Sequence, residues 1–251
     1  MHIPTIAGTI DRRVLANYRV DPHYLQKLLP DPFRPKQVHG MGIAGICLIR
    51  LKHVRPRALP TPLGLSSENA AHRIAVEWEE NGKYREGVYI PRRDTASRFN
   101  SFIGGKLFPG VHHHAHFMVA ESNDSFQIQL VSDDNKTRVA VKAHITSQLP
   151  ENSLFTSLEE VSTFFEQGAL GYSASEEVGR LDSLELRCAN WKVEPLQVTD
   201  VESSFFDDRQ LFPSGSAELD CALLMRGIRH EWYVREPFYT TESLQETESL
   251  V

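Results

Sequence analysis

Apolar and polar residues alternate over short stretches along most of this chain, and only three stretches carry the three-to-four spacing of a helix. Val14 to Val20 reads as a strand. Asp21-Pro22 then gives a helix start, an acid at the cap and proline at the first helical position. Tyr24, Leu25, Leu28 and Leu29 form one apolar stripe, and Pro30 and Pro32 stop the helix near Leu29. Gly42 to Val54 predicts a long strand, buried in its first half and alternating in its second, followed by an irregular proline-rich loop from Arg55 to Leu65. Ala70 to Trp78 and Tyr84 to Ile90 flank Asn81-Gly82, the strongest hairpin signal in the chain. Asp94 caps a short predicted helix through Ala96, Phe99, Phe102 and Ile103 that ends at Gly104-Gly105.

Three strands in a meander come next, His112 to Ala120, Ser125 to Ser132 and Thr137 to Thr146. Ser157 and Glu160 have capping-box spacing ahead of Leu158, Val161, Phe164 and Phe165, which predicts a helix closing at Gly168. The remainder is mostly strand, including Ser183 to Val193, Val198 to Phe206 and Ala217 to Arg226, before a Glu, Thr and Ser-rich end. Many short strands and three short helices imply a β-rich α+β fold, an antiparallel barrel-like sheet rather than a doubly wound one. The organisation expected is one domain over 1–238 and a flexible tail over 239–251.

The 251-residue length suits one such domain, and 41% apolar with 24% charged residues is ordinary for a soluble globular protein. The net charge is −6 and no Lys/Arg run exceeds two residues, so neither nucleic acid nor a membrane is an expected partner. Cys47, Cys188 and Cys221 are odd in number, widely spaced and without a CxxC pair, which predicts reduced, buried thiols. The first residues lack a basic start and an apolar stretch, and no apolar run approaches the roughly 18 to 20 residues that span a bilayer. A cytoplasmic location is expected. Glycine-rich phosphate loops and the HExxH zinc motif are absent from the sequence, so no cofactor is expected.

The densest chemistry lies between Ser97 and Val119. A lone lysine, Lys106, follows the glycine pair, Phe108-Pro109-Gly110 makes a turn, and His112, His113, His114 and His116 open a strand. On a strand His112, His114 and His116 share one face at intervals of roughly 6.6 to 6.8 Å. Two of them can chelate a transition metal, with His144 of a later strand as a further ligand; the alternative, pocket-lining or core imidazoles available for acid-base work, is preferred because no carboxylate partner is evident in the stretch, and no metal is assigned.

Tyr18-Arg19-Val20-Asp21-Pro22, then Leu25 and Leu28-Leu29-Pro30-Asp31-Pro32-Phe33, resembles the opening of acetoacetate decarboxylase-like proteins. Glu68, the Asn81-Gly82 hairpin and the segment Arg98 to Pro109 continue the likeness. Leu184 to Leu196, with Trp191 and Pro195-Leu196, is similar to the uncharacterised YqjF-type domain-of-unknown-function branch of that superfamily, and the match runs from residue 10 to about 235. The resemblance implies a cone-like β-barrel with a small apolar pocket and, in the decarboxylases, a lysine that forms a Schiff base with a β-keto acid. That amine must be neutral near pH 7, which desolvation or a neighbouring cation achieves.

Here Phe108-Pro109 matches the start of the aromatic-proline-lysine-lysine motif, but Gly110 and Val111 stand where the lysines belong. Ordinary acetoacetate decarboxylase activity is therefore not expected. Lys106 is either a displaced nucleophile or a solvated lysine. Glu68 corresponds to the family's pocket glutamate, able to orient substrate or move a proton, or else faces water. Arg12 or Arg13 falls near the arginine that the resemblance assigns to the substrate carboxylate. The expected site is Lys106, Glu68 and His114 for chemistry, with Arg12, Arg13, His112, His116, Phe108 and Trp191 around a small-molecule ligand. An enzyme acting on a small carbonyl or carboxylic compound, a non-catalytic binding protein and, behind both, a histidine-ligated metal protein remain open. Association into a homo-oligomer is expected from the family and from exposed strand edges.

Overall fold

Strand β1 (Ile6–Val20) begins eight residues before the alternation becomes legible, because both of its faces are largely covered and Arg12 and Arg13 interrupt the apolar pattern. The computed structural model describes residues 5–98 and 110–240. Asp21 accepts from the His23 backbone N–H at 2.9 Å and opens helix α1 (Pro22–Gln26). The helix stops one turn short of Leu29, and Leu28 and Leu29 continue in turns ahead of Pro30. Short strands β2 (Arg34–Pro35) and β3 (Gln37–Val38) precede β4 (Met41–Pro56), which covers the strand expected from Gly42 to Val54.

The proline-rich loop contains one 3-10 turn, Thr61–Leu63. Strands β5 (Leu65–Glu80) and β6 (Lys83–Thr95) then form the hairpin, Asn81 and Gly82 taking φ of 53° and 71° as a type I′ turn requires. Asp94 does not cap a helix. It pairs with Ala70 inside β6 and its carboxylate binds Arg92 at 2.9 Å, so the extended pairing of the hairpin overrides the local capping signal. The rest of that expected helix, with Gly104-Gly105, Lys106 and Phe108, lies outside the described residues.

Strands β7 (His113–Glu121), β8 (Ser125–Ser132) and β9 (Arg138–Ile145) make the expected meander. Helix α2 (Leu158–Gln167) starts at Ser157, whose hydroxyl accepts from the Glu160 backbone N–H at 3.1 Å; Glu160 reaches back to the Thr156 N–H at 2.7 Å, one residue before the usual box position. Strand β10 (Leu170–Ala174), short and glycine-containing, was not legible from its sequence. Strands β11 (Arg180–Cys188) and β12 (Glu194–Ser203) each start three or four residues before the expected ranges. Strand β13 (Ala217–Tyr239) runs 23 residues, passing through Gly227 at φ 65° instead of ending at Arg226.

Among the described residues the sheet is antiparallel except for two ladders of two residue pairs each, β6 with β7 and β6 with β10. Pairing closes it twice. One ring runs β13–β1–β4–β5–β6–β10–β11 and returns to β13; the other runs from β6 through β7, β8, β9 and β12 to β13. The long strands β13, β1, β4 and β5 form a wall common to both, as the β-rich, barrel-like expectation requires. Since side chains alternate across a strand, each wall strand feeds both interiors. Ile46, Leu48, Ile74, Ile128 and Leu130 pack in one core; Ile10, Leu15, Leu223 and Met225 pack in the other, which α2 covers with Val161 and Phe165. Each such side chain, almost wholly removed from water, contributes about 1.5–3 kcal/mol. No described helix is long and apolar enough to cross a membrane, and the three cysteines are free.

Candidate functional site

The smaller ring lines a partly open cavity of about 160 Å³. Odd-numbered positions of the wall strands reach it, Arg13 from β1, Cys47, Ile49 and Leu51 from β4, and Asn69 and Arg73 from β5. Trp191 and the α2 residue Phe165 close its side, and Arg93 and His112 stand at the β6–β7 junction. A space of this size holds a molecule of a few heavy atoms; a protein cavity of about 150 Å³ accommodates benzene.

Arg73 is placed by an irregularity. The β5–β6 register shifts between His72 and Ile74, so that β6 carries one extra residue beside Arg73, where Pro91 has no N–H to offer the ladder. Arg73 is buried, hydrogen-bonds the Asn17 side-chain oxygen, and lies over the Phe165 ring at 4.5 Å. Its Nε has no hydrogen-bond partner among the described residues. Arg13 donates from Nε to Cys47 Sγ at 3.2 Å and from Nη1 to Met225 Sδ at 3.7 Å, with Trp191 6.0 Å away. Arg93 donates to Ser173 Oγ at 2.9 Å.

None of these three guanidinium groups has a carboxylate oxygen of a described residue within 4.0 Å. The cavity's own acid, Asp94, is committed to Arg92. Asp182, whose charge acts on Arg93, is held by Arg180 at 3.0 Å and by the Gly110 N–H at 3.1 Å. Burial pushes Arg73 and Arg93 down to about 10, Arg13 adding to the shift at Arg73, yet both remain cationic at neutral pH. Unpaired charge in a buried site is costly, and these three positive groups line one cavity with no carboxylate partner among the described residues.

His112 lines the same cavity. Its Nδ1 lies 3.0 Å from the Gly110 carbonyl, which only accepts, so Nδ1 carries the proton and Nε2 is left as an acceptor. Burial, with Arg93 beside it, pushes its pKa down to about 4. The ring is therefore neutral at pH 7. Gly110 itself has φ 88°, and a Cβ there would come within 2.8 Å of Ser173 Cβ.

The even-numbered positions of the same wall point the other way. Arg12, Arg50 and Glu68 lie side by side across β1, β4 and β5. Glu68 bridges both arginines, Arg50 Nε at 2.6 Å, and Glu121 and Asp11 complete the network. Among the residues anticipated from sequence, Arg13, His112 and Trp191 thus meet at the cavity, while Arg12 and Glu68 meet each other on the opposite face. His112 precedes β7 and parts from His114 and His116, which lie outside the cavity lining with Asp133; His144, on β9, is in neither group. Arg73, Arg93 and Cys47 were missed. The available signal was an arginine inside an otherwise apolar strand, His72-Arg73-Ile74-Ala75-Val76, paired by the hairpin with Arg92-Arg93.

Residues 8–228 match the family model DUF2071, described as an uncharacterized conserved protein. No curated protein matches the sequence. Among solved structures the chain is similar to an acetoacetate decarboxylase-like enzyme from Sphingomonas wittichii RW1, with 13% identity, TM-score 0.59, and 95% of this chain and 93% of that chain covered. It is also similar to acetoacetate decarboxylase from Legionella pneumophila, with 13% identity, TM-score 0.59, and coverage of 94% and 88%. A third is the enduracididine biosynthesis enzyme MppR complexed with pyruvate, with 13% identity, TM-score 0.58, and coverage of 95% and 91%. At these identities the likeness shows a shared fold, in agreement with the acetoacetate decarboxylase-like resemblance of the sequence.

Proposed function

The chain belongs to the DUF2071 family within an acetoacetate decarboxylase-like fold, and on that premise we propose that it binds a small anionic carbonyl or carboxylic compound in the cavity. The observation that carries this reading is the convergence of Arg13, Arg73 and Arg93 on an apolar cavity without a described carboxylate to neutralise them. A carboxylate entering the cavity supplies the missing charge and accepts charge-assisted hydrogen bonds, the unsatisfied Arg73 Nε among the donors. Ile49, Leu51, Phe165 and Trp191 take its apolar part. The complex of MppR with pyruvate, a small keto acid, supports the choice of ligand class.

Schiff-base chemistry at the position of the family's paired lysines is not part of this reading. Gly110 occupies a left-handed conformation in which a Cβ would stand 2.8 Å from Ser173 Cβ, and its N–H donates to Asp182, so a side chain at this position would be both strained and crowded. Among the described residues no lysine lines the cavity. Lys106 and Phe108 stay as candidates to be tested chemically. Glu68, held by Arg12 and Arg50, serves the wall, and His114 and His116 are left without a role in the cavity.

The test is titration with pyruvate and acetoacetate, followed by borohydride reduction and intact-mass analysis. Saturable binding without a covalent adduct is expected. An adduct that maps to Lys106 would establish amine catalysis and overturn the lysine-free reading.

His112 favours a second reading, an enzyme that moves a proton next to the ligand's carbonyl. The neutral ring carries its lone pair on Nε2, and the arginines that make it a weak base are the groups that would pair with the enolate formed as a carbon-bound proton passes to Nε2. Exchange of pyruvate methyl hydrogens in deuterium oxide, lost in His112→Gln, is the expected sign of it; exchange no faster than without protein leaves the binding protein.

A further inference from the structure

On the outer surface of β7 and β8, away from the cavity lining, we propose a divalent transition-metal site of the zinc class formed by His114, His116 and Asp133. The backbone brings these residues together. Ala115 pairs with Ser132, which sets His114 opposite Asp133, and the Asp133 N–H donates to the His114 carbonyl at 3.0 Å. His114 and His116 are two residues apart on one strand and so share a face. Their side chains complete the arrangement, His114 Nδ1 lying 2.9 Å from one Asp133 carboxylate oxygen and His116 Nε2 3.2 Å from the other. One ligand atom from each residue can be chosen so that all lie within 4.8 Å of one another. A tetrahedral ion with bonds of about 2.0–2.1 Å separates its donors by roughly 3.3 Å, so small side-chain rotations complete the site.

The charge pattern argues for a cation there. Two carboxylates sit side by side at the β8–β9 turn, and they are treated differently. Asp134 takes Arg92 at 2.9 Å, whereas Asp133 has no lysine or arginine partner among the described residues and meets two imidazoles instead. Two imidazole nitrogens and a carboxylate around one point suit zinc, copper or nickel and do not suit magnesium or calcium, which prefer all-oxygen shells. His116 is 74% exposed, so the remaining coordination position opens to water. The third donor was invisible in the sequence because it stands 17 residues after His116 and is delivered by strand pairing alone.

The experiment is calorimetric titration of the metal-stripped full chain with zinc ion, in parallel with His116→Ala and Asp133→Asn, together with cobalt ion as a spectroscopic probe. Both substituted residues are exposed and support no core contact, and matched thermal melts verify the fold. One zinc per chain is expected, at least tenfold weaker in each variant, with a cobalt visible band that both variants lose. Absence of saturable one-to-one binding, or undiminished binding in both variants, overturns the proposal. Either result is independent of ligand binding in the cavity.

Discussion

On one face of the β1–β4–β5 wall Arg12 and Arg50 meet Glu68, Glu121 and Asp11; on the other, Arg13 and Arg73 meet thiol, thioether, amide and aromatic groups and no described carboxylate. Arg12 and Arg13 are adjacent in sequence, and strand alternation sends them to opposite interiors. The difference shows what each charge is for. A buried cation whose charge is compensated within the chain joins strands. One left uncompensated beside a cavity imposes a cost on the empty fold that an anionic ligand removes, and placing charges ahead of their ligand is how a binding site is preorganised.

The largest expected effect falls on the compensated face. Arg12→Ala leaves Glu68 with one guanidinium fewer in a largely buried network and is expected to lower the unfolding free energy by about 3–5 kcal/mol in urea titrations. Arg13→Gln, one residue away, removes an uncompensated charge and is expected to cost less than about 1 kcal/mol or to stabilise. Equal losses in the two variants would erase the distinction between the faces.

Acid sensitivity sharpens it next. Burial pushes His72, packed against Phe205 in the core away from the cavity, and His112, at the cavity, down to about 4, with Arg92 and Arg93 respectively as the cations beside them. A depressed histidine pKa means that the unfolded chain binds the proton first. Stability contributed by the neutral ring is therefore present above pH 6.5 and lost as pH falls toward about 4, up to about 3 kcal/mol for a fully buried ring. Unfolding curves between pH 7 and pH 4 are expected to show this decline, and His72→Gln to shallow it by about one proton.

On the cavity face, Arg93→Gln or Arg73→Gln is expected to weaken binding of a small keto acid by roughly 10- to 100-fold, the value of one or two charge-assisted hydrogen bonds. Arg12→Ala is expected to leave the affinity of the folded protein unchanged. Gly110→Ala is expected to cost about 1–3 kcal/mol of stability from the positive φ and the contact with Ser173. A thermal melt of that variant matching the parent would show that the loop has room for a side chain, and would reopen the family's lysine position.

How much of this was legible in the sequence depended on whether a feature is local. Asn81-Gly82 and Ser157 with Glu160 announced a hairpin and a helix because turn and cap chemistry act over a few residues. Asp94 carried the same kind of local signal and failed, since pairing with Ala70 and the ion pair to Arg92 keep it in a strand. The fold class came from the alternation and the opening motif together. For the site, the pair Arg12-Arg13 told that one arginine faces each way but not which, because that depends on the register of β1 against β4 and β13. Arg73 required knowledge of the irregularity opposite Pro91, and Asp133 required the β7–β8 register. Long-range pairing decides such questions, and a single sequence does not display it.

The central claim is that the cavity is built for an anion. Its most direct test is calorimetric titration at pH 7 with pyruvate and, as the uncharged analogue, pyruvamide, for the parent chain and Arg93→Gln. The account predicts saturable one-to-one binding of pyruvate, none of the amide, and a roughly 10- to 100-fold loss of pyruvate affinity in the variant. Equal binding of acid and amide, or equal pyruvate affinity in parent and variant, would contradict it.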